Sequence, residues 1–394
     1  MSVHPADRLA FDRAMVAQPV WNRIETGAAA FGLQQNVLLH GGPAFSSPDK
    51  VTRPILNSAC VASVYEGIAK SFDDAEAMIS TEEIILKPAQ DHDVVTPLAA
   101  VVSASMPLHV VYDAWGGTIQ AYAPINGGAR PALRLGLRSE AVLSHVRWLN
   151  TAVLDALRAG LAEGIALVPL AAAGLMGGDD CHGRTPVAGA ALVDELVDRS
   201  RRRIDPNVLT FLRESPSLFL NLWMAATKCM MMAASDIEDA SFVTAAGGNG
   251  RDIGLQISGL PGLWFTVPAA APKGDFDIDL PADRALGAIG DSAIIDAFGL
   301  GAMAATREHK NALQSHLPSD SLARASALSI GKHPYFRNLD LRLGSSARSA
   351  VALGAGPMVS LGIIDRLGEA GRLGGGLYDM PVAPFAAALA ELEA

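Results

Sequence analysis

Gly178-Asp179-Asp180-Cys181-His182-Gly183-Arg184-Thr185 places two carboxylates, a thiol, an imidazole and a guanidinium within a few positions. His182 is the natural general acid or base near neutral pH. Asp179 lies three residues before it and Asp180 two, so either could orient the ring. Arg184 suits a planar carboxylate or a phosphate. The cluster directly follows an apolar run, Ile165–Met176. Charges placed there must pair, bind a ligand or reach water. A solvated loop with a capping Asp is the plain alternative. An Asp/His metal site is another; it lacks a sequence-near third ligand, although His92, Asp91 or Asp93 could supply one. No metal and no cofactor is expected.

Other segments could hold an anion. Three glycine-rich stretches read as turns able to aim successive amides at a phosphate or carboxylate: His40-Gly41-Gly42-Pro43, Gly247-Gly248-Asn249-Gly250 and Gly374–Gly376. None matches a Walker A motif or a GxGxxG fingerprint. Gly290-Asp291-Ser292 opens a helix expected over Ala293–Ala305, where Asp291 or Ser292 either caps the helix or leaves its N-terminus to an anion. Asn221 and Lys228 share one face of an otherwise apolar helix, which suggests the wall of a buried cleft.

The elements that must position these groups follow from periodicity and turn chemistry. Residues 6–27 read as a helix interrupted near Pro19, 37–39 as a strand, and 55–71 as a helix carrying a Glu66–Lys70 pair. Strands are expected at 82–87, 98–103 and 108–112. From Ser139, a plausible N-cap, apolar residues repeat at helical spacing to Leu161, with Gly164 as the closing glycine. Helices follow at 188–203, 206–213 and 217–234. The basic run Arg199–Arg203 closes the first of these and complements its dipole. Strands 253–258 and 263–267 are joined by a Gly259-Leu260-Pro261-Gly262 turn, and residues 269–283 form a surface loop. The fold class is therefore α/β (α+β), with an α/β domain over 1–138, a helical domain over 139–240 and a second α/β domain over 241–394.

Composition excludes several classes. The 394 residues are 50% hydrophobic and 18% charged, enough to bury large cores. A net charge of −10 argues against nucleic acid as a partner. No charge-free apolar stretch reaches membrane-spanning length, and the N-terminus lacks a signal-peptide core, so a cytoplasmic protein is expected. Cys60, Cys181 and Cys229 form no CxxC pair and no disulfide framework.

Read together, several segments carry a family pattern: Leu38–Pro43, Tyr65–Lys70, Ser103–Pro107, Arg147-Trp148, Gly178–Arg184, Phe219–Leu222, Asn249-Gly250, Ser258–Leu260, Trp264–Thr266 and Gly290–Ile294. In these the chain resembles the YlbE-like family, whose members include the AllG subunit of oxamate carbamoyltransferase. The resemblance implies a subunit working beside partners, one similar to acyl-CoA synthetase chains of the FdrA type. It also implies carbamoyl exchange between phosphate and oxamate in purine breakdown, and a homo- or hetero-oligomer. The chain departs from the family pattern in four places. Ala89-Gln90-Asp91 stands where the family has Cys-His-His, and Gly248-Asn249-Gly250 replaces Arg-Asn-Gly. Asn126-Gly127-Gly128 replaces Asn-Glu-Gly, and Ile364–Leu367 replaces Ala-His-Lys-Glu.

The function expected on these grounds is a divergent subunit of a carbamoyl- or acyl-transfer enzyme acting on a small anionic amide such as oxamate or oxalurate. Carbamoyl phosphate is a candidate second substrate. His182 is the acid/base, Asp179 or Asp180 its orienter, and Arg184 the carboxylate clamp. His40, Gly41, Gly42, Asn126, Asn221, Lys228, Asn249, Gly250, Asp291 and Ser292 form the anion-binding set. The alternative is a non-catalytic binding or scaffolding subunit of an FdrA-like complex, and a weaker one is a metal-dependent hydrolase.

Overall fold

The computed structural model describes residues 3–394 apart from 130, 162, 201–203, 216, 305–314, 337 and 340. Its first helix, Pro5–Val16, stops before Pro19, and the following segment Pro19–Thr26 is a strand rather than a continuation of the helix. Proline at 19 cannot extend the helix. The strand pairs antiparallel with Pro107–Asp113, which buries Trp21 completely. Gln120–Pro124 lies on the far side of Pro107–Asp113, and the two-residue strand Ile165–Ala166 on the other edge of Pro19–Thr26, so this sheet has four antiparallel strands. A three-stranded sheet has Val37–His40 at its centre, parallel to Ile85–Pro88 and antiparallel to Val101–Val102.

The second four-stranded sheet orders Leu260–Pro268, Asp252–Ile257, Val243–Asn249 and Ile289–Gly290, and a separate hairpin pairs Met358–Ile364 with Arg372–Asp379. The helix Ser217–Ala233 packs against strands of the first sheet, against Val243–Asn249 and against the helix Ala293–Phe298. Its sequence is apolar on nearly every face because it is surrounded. Mixed helices and sheets of this kind make an α/β fold.

Several local expectations shift. The helix read over 55–71 is Arg53–Glu66, ended by Gly67 in the left-handed region. Glu66 accepts hydrogen bonds from Ser105 instead of pairing with Lys70. Ser139 does cap its helix, but Gly160 rather than Gly164 follows the last helical turn, Leu154–Ala159. The helix read over 188–203 is Pro186–Arg199, and Arg201–Arg203 lie outside the described residues. The hairpin after Ile257 closes over Ser258-Gly259, so Leu260-Pro261-Gly262 belongs to the returning strand.

Two of the three glycine-rich turns are strands. Gly247 and Gly248 lie within Val243–Asn249, and Gly374–Gly376 within Arg372–Asp379. Close approach is the reason for glycine there. A Cβ on Gly247 would sit 2.5 Å from Asp291 Oδ1, and one on Gly374 2.0 Å from Asp275 O. Gly247→Ala is therefore expected to destabilise the chain by about 1–3 kcal/mol, measured by urea unfolding, because the carboxylate it meets is tied down on both oxygens. The helix after Gly290 is also shorter than expected: it spans Ala293–Phe298 and ends at Gly299, whose φ is +107°.

Candidate active site

The loop bearing His182 is built by its own carboxylates. Asp179 accepts from the amides of Val187 and Ala188 and so caps the helix Pro186–Arg199. Asp180 Oδ1 accepts from the amides of His182 (2.7 Å) and Arg184 (2.9 Å), closing a tight turn that holds Cys181 at a φ of +65°. Neither Asp orients the imidazole. That role falls to Asp296, 114 residues away, whose Oδ2 lies 2.5 Å from His182 Nδ1. Asp296 is fully buried, and its Oδ1 accepts from the amides of Ala302 (2.7 Å) and Ser360 (3.1 Å). A carboxylate so held accepts the Nδ1 proton and leaves Nε2 as the ring's proton-accepting atom. Burial alone would lower the His182 pKa, but the Asp296 charge and hydrogen bond, together with the Asp180 charge, outweigh it and raise the pKa.

His182 lines a cleft of about 360 Å³ together with Asn126, Asn221, Ser292 and Ser360. Arg134 and Arg372 line it as well, with Asp275, Asp277 and His316. Arg372 is paired with Asp277 at 2.7 Å. Arg134 has no carboxylate partner among the described residues and donates to Asn126 Oδ1, Gly127 O and Gly128 O. Burial, with the charge of Arg372, lowers its pKa to about 10.

Of the sequence-expected site residues, the cleft thus gathers His182, Asn126, Asn221 and Ser292. The rest lie elsewhere. Arg184 is exposed and is not among the lining residues; Arg184→Gln is expected to leave turnover unchanged and to move stability by less than about 0.5 kcal/mol, as read by kinetics and urea unfolding. His40 is buried with its Nδ1 on Gly41 O, and burial pulls its pKa down to about 4. Gly41 packs against Thr96 and Gly290, and Gly42 against the strand at Gly248. The Gly42 amide is taken by Asp291. Asn249 binds Pro43 O and the amides of Arg251 and Asp252, and the Gly250 amide donates to Ala288 O. Lys228 is buried, and burial lowers its pKa against the opposing charges of Asp93, Asp291 and Asp91.

Asp291 does not cap the helix. It accepts from the Gly42 amide, Gln90 Nε2, the Thr96 amide and Thr96 Oγ1 at 2.8–3.1 Å. Ser292 occupies the cap position without a capping hydrogen bond. Among the described residues, no three His, Cys, Asp or Glu side chains converge to hold a metal ion, and no helix is long and apolar enough to cross a membrane. Sequence reasoning missed Asp296, Arg134, Ser360 and Arg372. Asp296 did carry a signal: it is a lone carboxylate inside Ile294-Ile295-Asp296-Ala297-Phe298.

Comparison with known proteins places the chain, though not its site residues, in a family. A family model described as oxamate carbamoyltransferase subunit AllG matches residues 84–292. The chain is 30% identical over 412 residues to the oxamate carbamoyltransferase subunit AllG of Escherichia coli (strain K12), covering 99% of this chain and 98% of that one. The chain belongs to the AllG family. It is also 29% identical over 410 residues to the uncharacterized protein YahG of the same strain, covering 98% of this chain and 84% of YahG. A conserved protein of unknown function from Enterococcus faecalis V583 shares the fold, with a TM-score of 0.90, 24% identity and coverage of 98% and 97% of the two chains.

Of the four departures of this AllG-family member from the YlbE-like pattern, Asn126-Gly127-Gly128 lies at the cleft beside Arg134, and the other three sit at structural positions. Gln90 bonds Asp291 and Ala246 O. A Cβ on Gly248 would lie 2.3 Å from Ala288 O, so the arginine of the pattern has no room there. Asp365 is held by Arg284 through two hydrogen bonds and by the amides of Leu367, Glu369 and Ala370.

Proposed function

We propose that this AllG-family chain is a subunit of a carbamoyl-transfer enzyme and that the cleft at His182 takes part in the reaction on a small anionic amide such as oxamate. The observation that carries the proposal is the buried His182–Asp296 pair, whose histidine lines a cleft with two arginines and the hydroxyl-bearing Ser292 and Ser360. In the forward sense, the amide nitrogen of oxamate attacks the carbamoyl carbon of carbamoyl phosphate. The C–N bond forms, the C–O bond to phosphate breaks, and the nitrogen proton passes to His182 Nε2 as phosphate leaves with the electron pair. Asp296 stabilises the imidazolium this creates. In the reverse sense, His182 returns the proton as phosphate attacks. The pair supplies the proton transfer, and the arginines favour an anionic substrate.

The partners proposed are FdrA-like and other subunits encoded nearby, in a hetero-oligomer in the cytoplasm. The test is turnover by a complex reconstituted from this chain and its genomic neighbours, with oxamate and carbamoyl phosphate as substrates. Loss of turnover in His182→Ala, with the chain still folded and still assembled, is the expected result. Full turnover in that variant would support a scaffolding subunit instead.

A further inference from the structure

Three neighbouring side chains in the cleft have unspent hydrogen-bonding capacity of defined polarity. Arg134 has five N–H groups, and its bonds to Asn126 Oδ1 (3.2 Å), Gly127 O (3.2 Å) and Gly128 O (2.6 Å) use three of them. The remaining two match what a carboxylate accepts from a guanidinium fork. The bond from Arg134 fixes the Asn126 amide with its oxygen toward the arginine, and Asn126 Nδ2 is buried without a partner among the described residues. Asn221 Nδ2 faces Pro124 O (3.5 Å) and Asn126 O (3.4 Å), so a flipped amide would set oxygen against two carbonyls. Asn221 Oδ1 is therefore the atom left buried and unpartnered. One cation, one donor and one acceptor stand side by side. Each unpaired buried group costs about 1–3 kcal/mol, and a ligand that satisfies both amides recovers it.

Resting on the transferase reading above, we propose that Arg134, Asn126 and Asn221 are the specificity-determining residues that receive a primary carboxamide joined directly to a carboxylate, the chemistry of oxamate. The carboxylate takes the free edge of Arg134. The carboxamide oxygen accepts from Asn126 Nδ2, and its NH2 donates to Asn221 Oδ1. Both amide atoms are covered by the cleft wall, so seating the ligand requires a shift of side-chain size.

The test is calorimetric titration of the full chain with oxamate and with pyruvate, which carries the same charge but a methyl group in place of the NH2. Oxamate is expected to bind at least about tenfold more tightly than pyruvate. Asn221→Leu should bring that ratio close to one. Arg134→Gln should weaken both ligands at least about tenfold, while Arg184→Gln changes neither. Equal affinity for the two ligands, no binding of oxamate, or binding unchanged by Arg134→Gln in a variant with an unaltered unfolding midpoint would overturn the proposal. If Asn221→Leu fails to fold, the ratio in the unaltered chain decides alone. These are equilibrium measurements. Turnover that survives loss of His182 sinks the transferase reading and leaves the receptor standing, whereas equal oxamate and pyruvate binding sinks the receptor and leaves the acid–base pair standing.

Discussion

Asp296→Asn is expected to lower kcat of the reconstituted complex by about two to four orders of magnitude. The substitution preserves volume in a fully buried site but removes the charge that His182 Nδ1 faces at 2.5 Å. Two consequences follow for the ring. It loses the acceptor that selects the Nδ1–H tautomer, and it loses the larger of the two carboxylate charges that raise its pKa, leaving only that of Asp180. In the unaltered chain the basic form of His182 appears only above that raised value, so activity falls on the acid side of it. In Asp296→Asn burial acts unopposed by Asp296, so the acid limb of the pH–rate profile moves to lower pH even as the rate drops. Stability changes with a matching sign. A raised histidine pKa contributes stability that is fully present below the unfolded value and is lost as pH rises through the folded value. The variant should therefore lose more stability in acid than in alkali. An unchanged kcat together with an unmoved acid limb would show that His182 does not act as the base.

Asp291→Ala is expected to destabilise the chain by about 2–4 kcal/mol near neutral pH, read as a lower urea midpoint. The carboxylate joins three separated stretches of chain through Gly42, Gln90 and Thr96, and its removal leaves the two backbone amides buried without that acceptor. Ser292 follows it directly, and the next helix carries Asp296, so the same substitution should loosen the His182–Asp296 geometry and reduce turnover. Its titration gives a second readout. Burial pushes the Asp291 pKa up to about 6 against the pull of its four hydrogen bonds. The folded chain thus keeps a proton that the unfolded chain has already released, and this group lowers stability as pH rises from about 4 to about 6. That slope should be missing in Asp291→Ala. A variant that unfolds at the same urea concentration as the unaltered chain at both ends of this window would refute the role assigned to Asp291.

The helix Pro206–Arg213 and the cap at Ser139 were legible in the chain alone, and so was the central helix to within a residue. Each depends on interactions within a few positions: apolar spacing, a side-chain oxygen on a free amide, a proline in the first turn. His182 stood out for a similarly local reason, since an imidazole after an apolar run needs a partner. The identity of that partner was not legible. Asp179 and Asp180 are near in sequence, but backbone amides nearer still consume them.

The glycines show the same divide. Gly247 and Gly374 read as turns because sequence records only the freedom of glycine. Tertiary structure adds that Asp291 and Asp275 press against those positions and leave no space for a Cβ. Arg184 and Arg134 are a matched case. Both are cations near apolar segments, yet one projects from the surface and the other enters the cleft. By itself the sequence determined the α/β character, most of the longer helices, fewer than half of the strands and the family pattern, and it singled out His182 as a candidate. Only the tertiary structure decided that Asp296 holds the ring and that Arg134, Asn126 and Asn221 line the same cleft. A buried polar group takes its role from whatever reaches its other side, and here that partner arrives from distant parts of the chain.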